Sequence, residues 1–146
     1  MAGPEAPPRG AYAWFAAVTT RWVDNDVYGH VNNAHFYAFF DSAINRLLIE
    51  RGGLDVQRDP VVGFVASSAC DYFRPVAYPA DLEVGVRTGR IGNSSARYEV
   101  ALFARGDERA AAAGSMVHVF VDRATGRPTA IPERIRAALE SVGRAG

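Results

Sequence analysis

Asp24, Asp26, Tyr28, His30, Asn32 and Asn33, each able to hold a proton or a hydrogen bond, crowd into positions 24 to 33 of this chain. They belong to the stretch RWVDNDVYGHVNNAHFYAFFDSAINRLLIER, residues 21 to 51, whose second half is strongly apolar. A carboxylate in such a loop can act as a general base toward water or as a nucleophile toward an acyl carbon. The first backbone N–H groups of a helix that follows have no partner inside it, so they can stabilise charge developing on an oxygen. The same residue types also suit a plain loop, because aspartates bind their own backbone and asparagine is a preferred N-cap. Both readings of Asp26 stay open on residue types alone. Asp24 is expected at an exposed strand end, where closeness to Asp26 would otherwise raise the pKa of one of the two.

Other chemistries have less support. CxxC and HExxH spacings are absent, so no zinc site is expected. Ser94 and Ser95 lie in a Gly-Asn-Ser-Ser turn without the G-x-S-x-G of a serine hydrolase. Cys70 is the single cysteine, which excludes an internal disulfide. With no basic partner in view it reads as a small buried hydrophobe. His35 and His118 belong to no motif, and packing or solvent exposure is expected for both. Arg74, Arg87, Arg90 and Arg97 could meet phosphate groups, yet nothing in their spacing assigns one of them. The 16 basic and 16 acidic residues balance without a like-charge block, which speaks against nucleic acid or an anionic membrane as partner. No apolar run approaches the ~18 residues of a membrane span. The N-terminus shows no basic region followed by an apolar one. A cytoplasmic protein without a metal or organic cofactor is the expectation.

These residues need elements to position them. Residues 1 to 12, rich in Pro, Gly and Ala, read as a flexible tail, and residues 13 to 146 as one domain. Ala13 to Val23, aromatic and β-branched, suits a first strand. From about Asn33 to Arg51 the residues Phe36, Phe40, Ile44 and Leu47 recur at helical spacing, widened by Tyr37, Phe39, Ala43 and Leu48. So broad an apolar face implies an enclosed helix, and Gly52-Gly53 ends it. Period-two alternation then predicts strands at Val61 to Phe73, Leu82 to Thr88, about Arg97 to Leu102, and Ala110 to Asp122. The first of these reads as buried on both faces at its start, and Gly114 as a bulge or bend in the last. Pro132 to Val142 reads as a short helix with proline in its first turn. Strand, long helix, four strands is an α+β order in which one antiparallel sheet must cover one apolar helix, leaving edges that invite a second copy.

The stretch Arg21-Trp22-Val23-Asp24-Asn25-Asp26-Val27-Tyr28-Gly29-His30-Val31-Asn32-Asn33-Ala34 resembles the R-x-x-D-x-D-x-x-G-H-V-N-N-A pattern of hotdog-fold acyl-CoA thioesterases. The resemblance is to the 4-hydroxybenzoyl-CoA thioesterase type, near its long-chain acyl-CoA branch. Asp71-Tyr72-Phe73-Arg74-Pro75 with Pro79-Ala80-Asp81-Leu82 is similar to that family's Y-x-R-P … G-D connection, and residues 122 to 132 to its usual ending.

The resemblance implies a curved five-stranded antiparallel sheet wrapped around the long helix. It also implies homodimers joined edge to edge, often paired into tetramers, with active sites at the dimer interface. It puts the catalytic carboxylate on Asp26 and the carbonyl-polarising backbone N–H near Asn33. His30 and Val31 fall among the substrate contacts, and Asn32 and Tyr28 in support. Plant acyl-carrier-protein thioesterases have asparagine where this chain has Tyr28, so that asparagine's role is not carried over. The expected reaction is hydrolysis of an acyl-CoA or acyl-carrier-protein thioester. An acyl-thioester dehydratase or hydratase, or a non-catalytic acyl-CoA-binding protein, are the alternatives.

Overall fold

A computed structural model describes residues 5 to 143 of the chain; residues 1 to 4 and 144 to 146 lie outside the described part. The elements are β1 (Trp14–Thr19), α1 (Asn33–Glu50), β2 (Val61–Tyr72), β3 (Asp81–Ile91), β4 (Ser95–Ala104), β5 (Ala112–Asp122) and α2 (Glu133–Ser141). The strands form one antiparallel sheet in the order β1-β3-β4-β5-β2, which makes the chain α+β as its element order predicts. Its connections are those of a meander from β3 to β5, with the first strand on one edge and the second on the other.

The 18-residue helix α1 starts on Asn32, whose side-chain oxygen accepts the Ala34 N–H, and gives way to Gly53 at φ +66°. It packs on β3, β4, β1 and α2. Phe36, Phe40, Ile44, Leu47 and Leu48 of its buried face share one core with Val84 and Val86 of β3, Tyr98, Val100 and Leu102 of β4, and Phe120 of β5. Burial of this kind stabilises by about 25 cal/mol per Å² of apolar surface, and it holds the N-terminus of α1 fixed above one end of the sheet.

Several expectations need correction. β1 stops at Thr19, and Trp22–Asp24 forms a 3₁₀ turn instead, because the Asp24 carboxylate turns back to accept the Arg21 N–H at 2.8 Å. β2 is not buried on both faces: only Val61 to Gly63 and Cys70 are half-covered and the rest is exposed, since among the described residues it is an edge strand paired with β5 alone. Cys70 is accordingly half-exposed. Gly114 marks no bulge. The β4–β5–β2 register runs through it unbroken, and the irregularities fall between Val65 and Ser67 and between Thr88 and Arg90. Glycine is needed there because a Cβ would stand 1.9 Å from the Ala69 carbonyl oxygen. Pro132 is the N-cap of α2, one residue before its first turn.

The described part of the expected N-terminal tail is docked. Arg9 N–H donates to the Glu108 carbonyl (2.8 Å) and Ala110 N–H to the Pro7 carbonyl (3.0 Å). The Arg9 guanidinium lies 4.8 Å from the Phe15 ring centre and 5.0 Å from that of Phe103, and pairs with Glu83. Tyr12 is buried. Backbone pairing and cation–π contact fix this segment although it has few apolar side chains to bury.

Candidate active site

The loop between β1 and α1 is closed on itself. Asp26 N–H donates to the His30 carbonyl and Gly29 N–H to the Asp26 carbonyl, both at 3.0 Å, with Gly29 at φ +84°. Asn25 and Val31 form a bridge beneath the loop. Two further bonds tie it to the segment after β2: Val31 N–H to the Val76 carbonyl (2.8 Å) and Tyr78 N–H to the Asn25 side-chain oxygen (3.0 Å).

Asp24 anchors the loop from below. Its side chain is 0% exposed, contrary to the expected surface position, and the Arg21 guanidinium covers it with bonds of 3.1 and 2.8 Å to one oxygen. Its carbonyl accepts the Asn32 N–H (3.0 Å), and His35 Nδ1 stands 3.9 Å from its carboxylate. Burial works to raise the Asp24 pKa, but the hydrogen bonds and charge of Arg21, with His35 adding a little, hold it below the usual carboxylate value. Asp24 is therefore an ionised structural post.

Asp26 is the functional opposite: half-buried and facing an opening. One carboxylate oxygen accepts the Tyr28 N–H at 2.9 Å and the other the Asn32 side-chain amide at 3.1 Å. The Asn32 amide thus links two jobs, its oxygen capping α1 through the Ala34 N–H (3.0 Å) and its nitrogen orienting Asp26. Asn33 is the first residue of α1, and its N–H has no acceptor among the described residues.

Asp26, Tyr28, His30, Val31 and Asn33 line one cavity of about 290 Å³. All the expected site residues except Asn32 therefore meet there, and Asn32 touches the site through Asp26. Val31 and Phe36 are buried in the wall, whereas the Tyr28 side chain is 84% exposed and only its backbone N–H is engaged. His30 is exposed and contributes its carbonyl to the loop.

Three further residues complete the cavity: Tyr72, Arg74 and Pro75, from the end of β2 and the segment beyond it. For Tyr72 and Pro75 the Asp71–Pro75 motif was the sequence signal, and it named a strand connection without a site role, whereas Arg74 was also one of four arginines that could meet phosphate with none assigned. The Tyr72 ring meets Phe36 edge-on at 5.2 Å, and its hydroxyl lies 3.4 Å from the Asn33 carbonyl oxygen. Burial, then neighbouring Cys70, raises the Tyr72 pKa, so the hydroxyl stays protonated. Arg74 is held by Asp107 (2.8 Å) and the Arg109 carbonyl (2.5 Å).

His118 lies elsewhere. It is 2% exposed, sharing a 3.2 Å hydrogen bond with Tyr98 inside the core, so packing accounts for it. His35 is half-buried beside Asp24. Among the described residues no helix is long and apolar enough to cross a membrane, and no group of three or more His, Cys, Asp or Glu is placed to hold a metal ion. The arrangement offers an oriented carboxylate and a free helix-start N–H on one small opening, a combination suited to attack on a carbonyl carbon.

Comparison with known proteins places the chain among thioesterase-like proteins. The PA5185 protein of Pseudomonas aeruginosa strain PAO1 has a solved structure that superposes with a TM-score of 0.95, at 55% identity, covering 97% of this chain and 99% of that one. A thioesterase of Thermus thermophilus, complexed with coenzyme A and Zn, gives a TM-score of 0.74 at 34% identity, covering 88% of this chain and 98% of the other. The uncharacterised protein YsmA of Bacillus subtilis strain 168 is 27% identical over 85 residues, a match spanning 58% of this chain and 57% of that protein. The Thioesterase-like superfamily model matches residues 18–139, from the end of β1 into α2, and the chain belongs to that superfamily.

Proposed function

We propose that this protein hydrolyses an acyl thioester, of coenzyme A or of an acyl-carrier protein, to the free acid and the thiol. Superfamily membership supports thioester hydrolysis in general, and the coenzyme A bound to the Thermus relative supports a thiol of that type. The observation that carries the residue assignment is the shared cavity. Asp26, fixed by the Tyr28 N–H and the Asn32 amide, opens on the same 290 Å³ space as Asn33.

As a base, Asp26 takes a proton from water as its oxygen bonds to the carbonyl carbon. The oxyanion so formed accepts the Asn33 N–H. Collapse breaks the carbon–sulfur bond, and the departing thiolate recovers the proton from Asp26. As a nucleophile, the Asp26 carboxylate instead forms a mixed anhydride with loss of the thiolate, and water then cleaves it. A preorganised oxyanion donor contributes about 3 kcal/mol in either route. His30 and Val31 border the acyl carbonyl, while Asn32 and Tyr28 orient the carboxylate.

The proposed assembly is a homodimer, or a tetramer of two such dimers, in the hotdog arrangement: the sheet curves around α1 and the exposed edge of β2 pairs with a second copy beside the site. The cytoplasm is the proposed compartment. Thiol release from acyl-CoAs running from acetyl to palmitoyl, with benzoyl-CoA alongside, tests the reading. Release that disappears in Asp26→Asn supports it, and the preferred acyl group names the substrate class. Absence of release from every thioester, with binding intact, refutes hydrolysis and favours a binding protein.

A further inference from the structure

Tyr72 stands 39 residues from Asn33 in the chain, yet its hydroxyl reaches the carbonyl oxygen of the first residue of α1. In an α-helix that oxygen already accepts the N–H four residues on, and its second lone pair is available to a donor from outside. The peptide unit it belongs to is gripped at its other end too, because the Ala34 N–H donates to the Asn32 side chain. The peptide unit before it is pinned by the His35 N–H, which donates to the Asn32 carbonyl at 3.0 Å. Both peptide planes flanking the Asn33 Cα are therefore restrained, and with them the direction of the Asn33 N–H. The tyrosine ring is itself fixed edge-on against Phe36, one helical turn from Asn33 and buried.

On the thioester reading above, we propose that Tyr72 is a positioning residue: by holding the Asn33 carbonyl it aims the Asn33 N–H at the thioester oxygen. It acts through Asn33 and does not touch the reacting atoms. Its hydroxyl, kept protonated by its surroundings, is a donor across the working pH range. The device joins β2, the edge strand, to the start of the helix, so the geometry of the oxyanion donor depends on where that edge sits.

Tyr72→Phe isolates the hydroxyl, since the ring and its contact with Phe36 remain. The expected result is a kcat lower by about three- to tenfold, the loss of one neutral hydrogen bond expressed as a rate, with KM within twofold of wild type. A purely structural role would not move the second readout. With a carbonyl-labelled acyl-CoA bound to Asp26→Asn protein, the thioester C=O infrared band should lie below its solution frequency and return toward it when Tyr72→Phe is added. Unchanged kcat overturns the proposal, and so does a lower kcat with an unmoved band. If Tyr72→Phe fails to fold, 3-fluorotyrosine at position 72 gives a stronger donor, and the band must then shift further from the solution value; no shift overturns the proposal. A wild type that releases no thiol from any thioester removes the thioester reading first and this proposal with it.

Discussion

Asp26→Asn separates catalysis from loop architecture, because the structure sets the size of each effect. Asparagine can keep its oxygen on the Tyr28 N–H, the 2.9 Å bond of the wild type. Its new amide group then faces the Asn32 amide nitrogen, where the wild-type carboxylate oxygen accepts at 3.1 Å. Two donors meet, and Asn32 cannot turn its amide over without releasing the Ala34 N–H that it caps at 3.0 Å. One half-exposed hydrogen bond is lost, about 1 kcal/mol of stability. The rate effect should be far larger. Removing a general base costs about 10²- to 10⁴-fold, which is about 3 to 5 kcal/mol of barrier. Urea denaturation and single-turnover thiol release on the same preparation measure the two quantities side by side. A folded Asp26→Asn protein with a turnover number within tenfold of wild type would refute the assignment, whatever its melting point. Asn32→Ala is the internal control, since it removes the same contact and leaves the carboxylate in place.

The other predictions concern what holds the site. Asn32→Ala should lose about 1 kcal/mol of stability with its N-cap, and lower kcat by less than Asp26→Asn does, both read from melts and kinetics. Acid should destabilise the protein in two windows. Burial lowers the His118 pKa, with Asp41 opposing, so the unfolded chain binds the proton first; stability is complete above the ordinary value of 6.5 and falls as the pH drops below it. Asp24 is held below its ordinary 3.8 in the fold, so its stabilisation is present above that value and is lost as the pH falls through the lower folded value. Urea midpoints measured against pH should show both steps. His118→Gln should flatten the first, and Arg21→Met should shrink the second, because the side-chain bonds and charge that hold the Asp24 pKa down are gone while its burial remains. Gly114→Ala should cost about 3 kcal/mol or prevent folding, since the new methyl would stand 1.9 Å from a backbone oxygen. A denaturation midpoint within about 1 kcal/mol of wild type would contradict that close approach.

How much of this was legible in the sequence depends on how locally each feature is determined. The helix from Asn33 could be read because its cap, its apolar spacing and its glycine stop all lie within one stretch. Four strands could be read because alternation is local as well, and β1 because its aromatic and β-branched run is local too, though its end was placed too late. Neighbour relations were less visible. The apolar start of β2 looks the same in a central strand and in an edge strand, and only the order β1-β3-β4-β5-β2 exposes it. Asp24 looks like a solvated loop carboxylate until Arg21 is seen folded over it, with its own side chain still 65% exposed. The N-terminal segment has few apolar residues, but its backbone pairs with the β4–β5 hairpin and its one arginine stacks on two rings.

The candidate site divides along the same line. Asp26 and Asn32 are held by bonds spanning two to six residues, so a motif of fixed spacing encodes them, and the start of α1 at Asn33, almost completely. Tyr72 and Arg74 reach the cavity only because β2 ends beside the start of α1 and Val76 accepts the Val31 N–H. The first group sets what bond is attacked, and its spacing can hardly vary without losing the geometry. The second group forms the wall and can vary with the segment after β2. Substrate preference should therefore follow substitutions at Arg74 more than those within the loop. Exchanging Arg74 for Ala should change the ratio of rates across the acyl-CoA panel while the dependence on Asp26 persists. A panel whose ratios stay fixed would locate the selecting surface elsewhere, against a second copy of the chain.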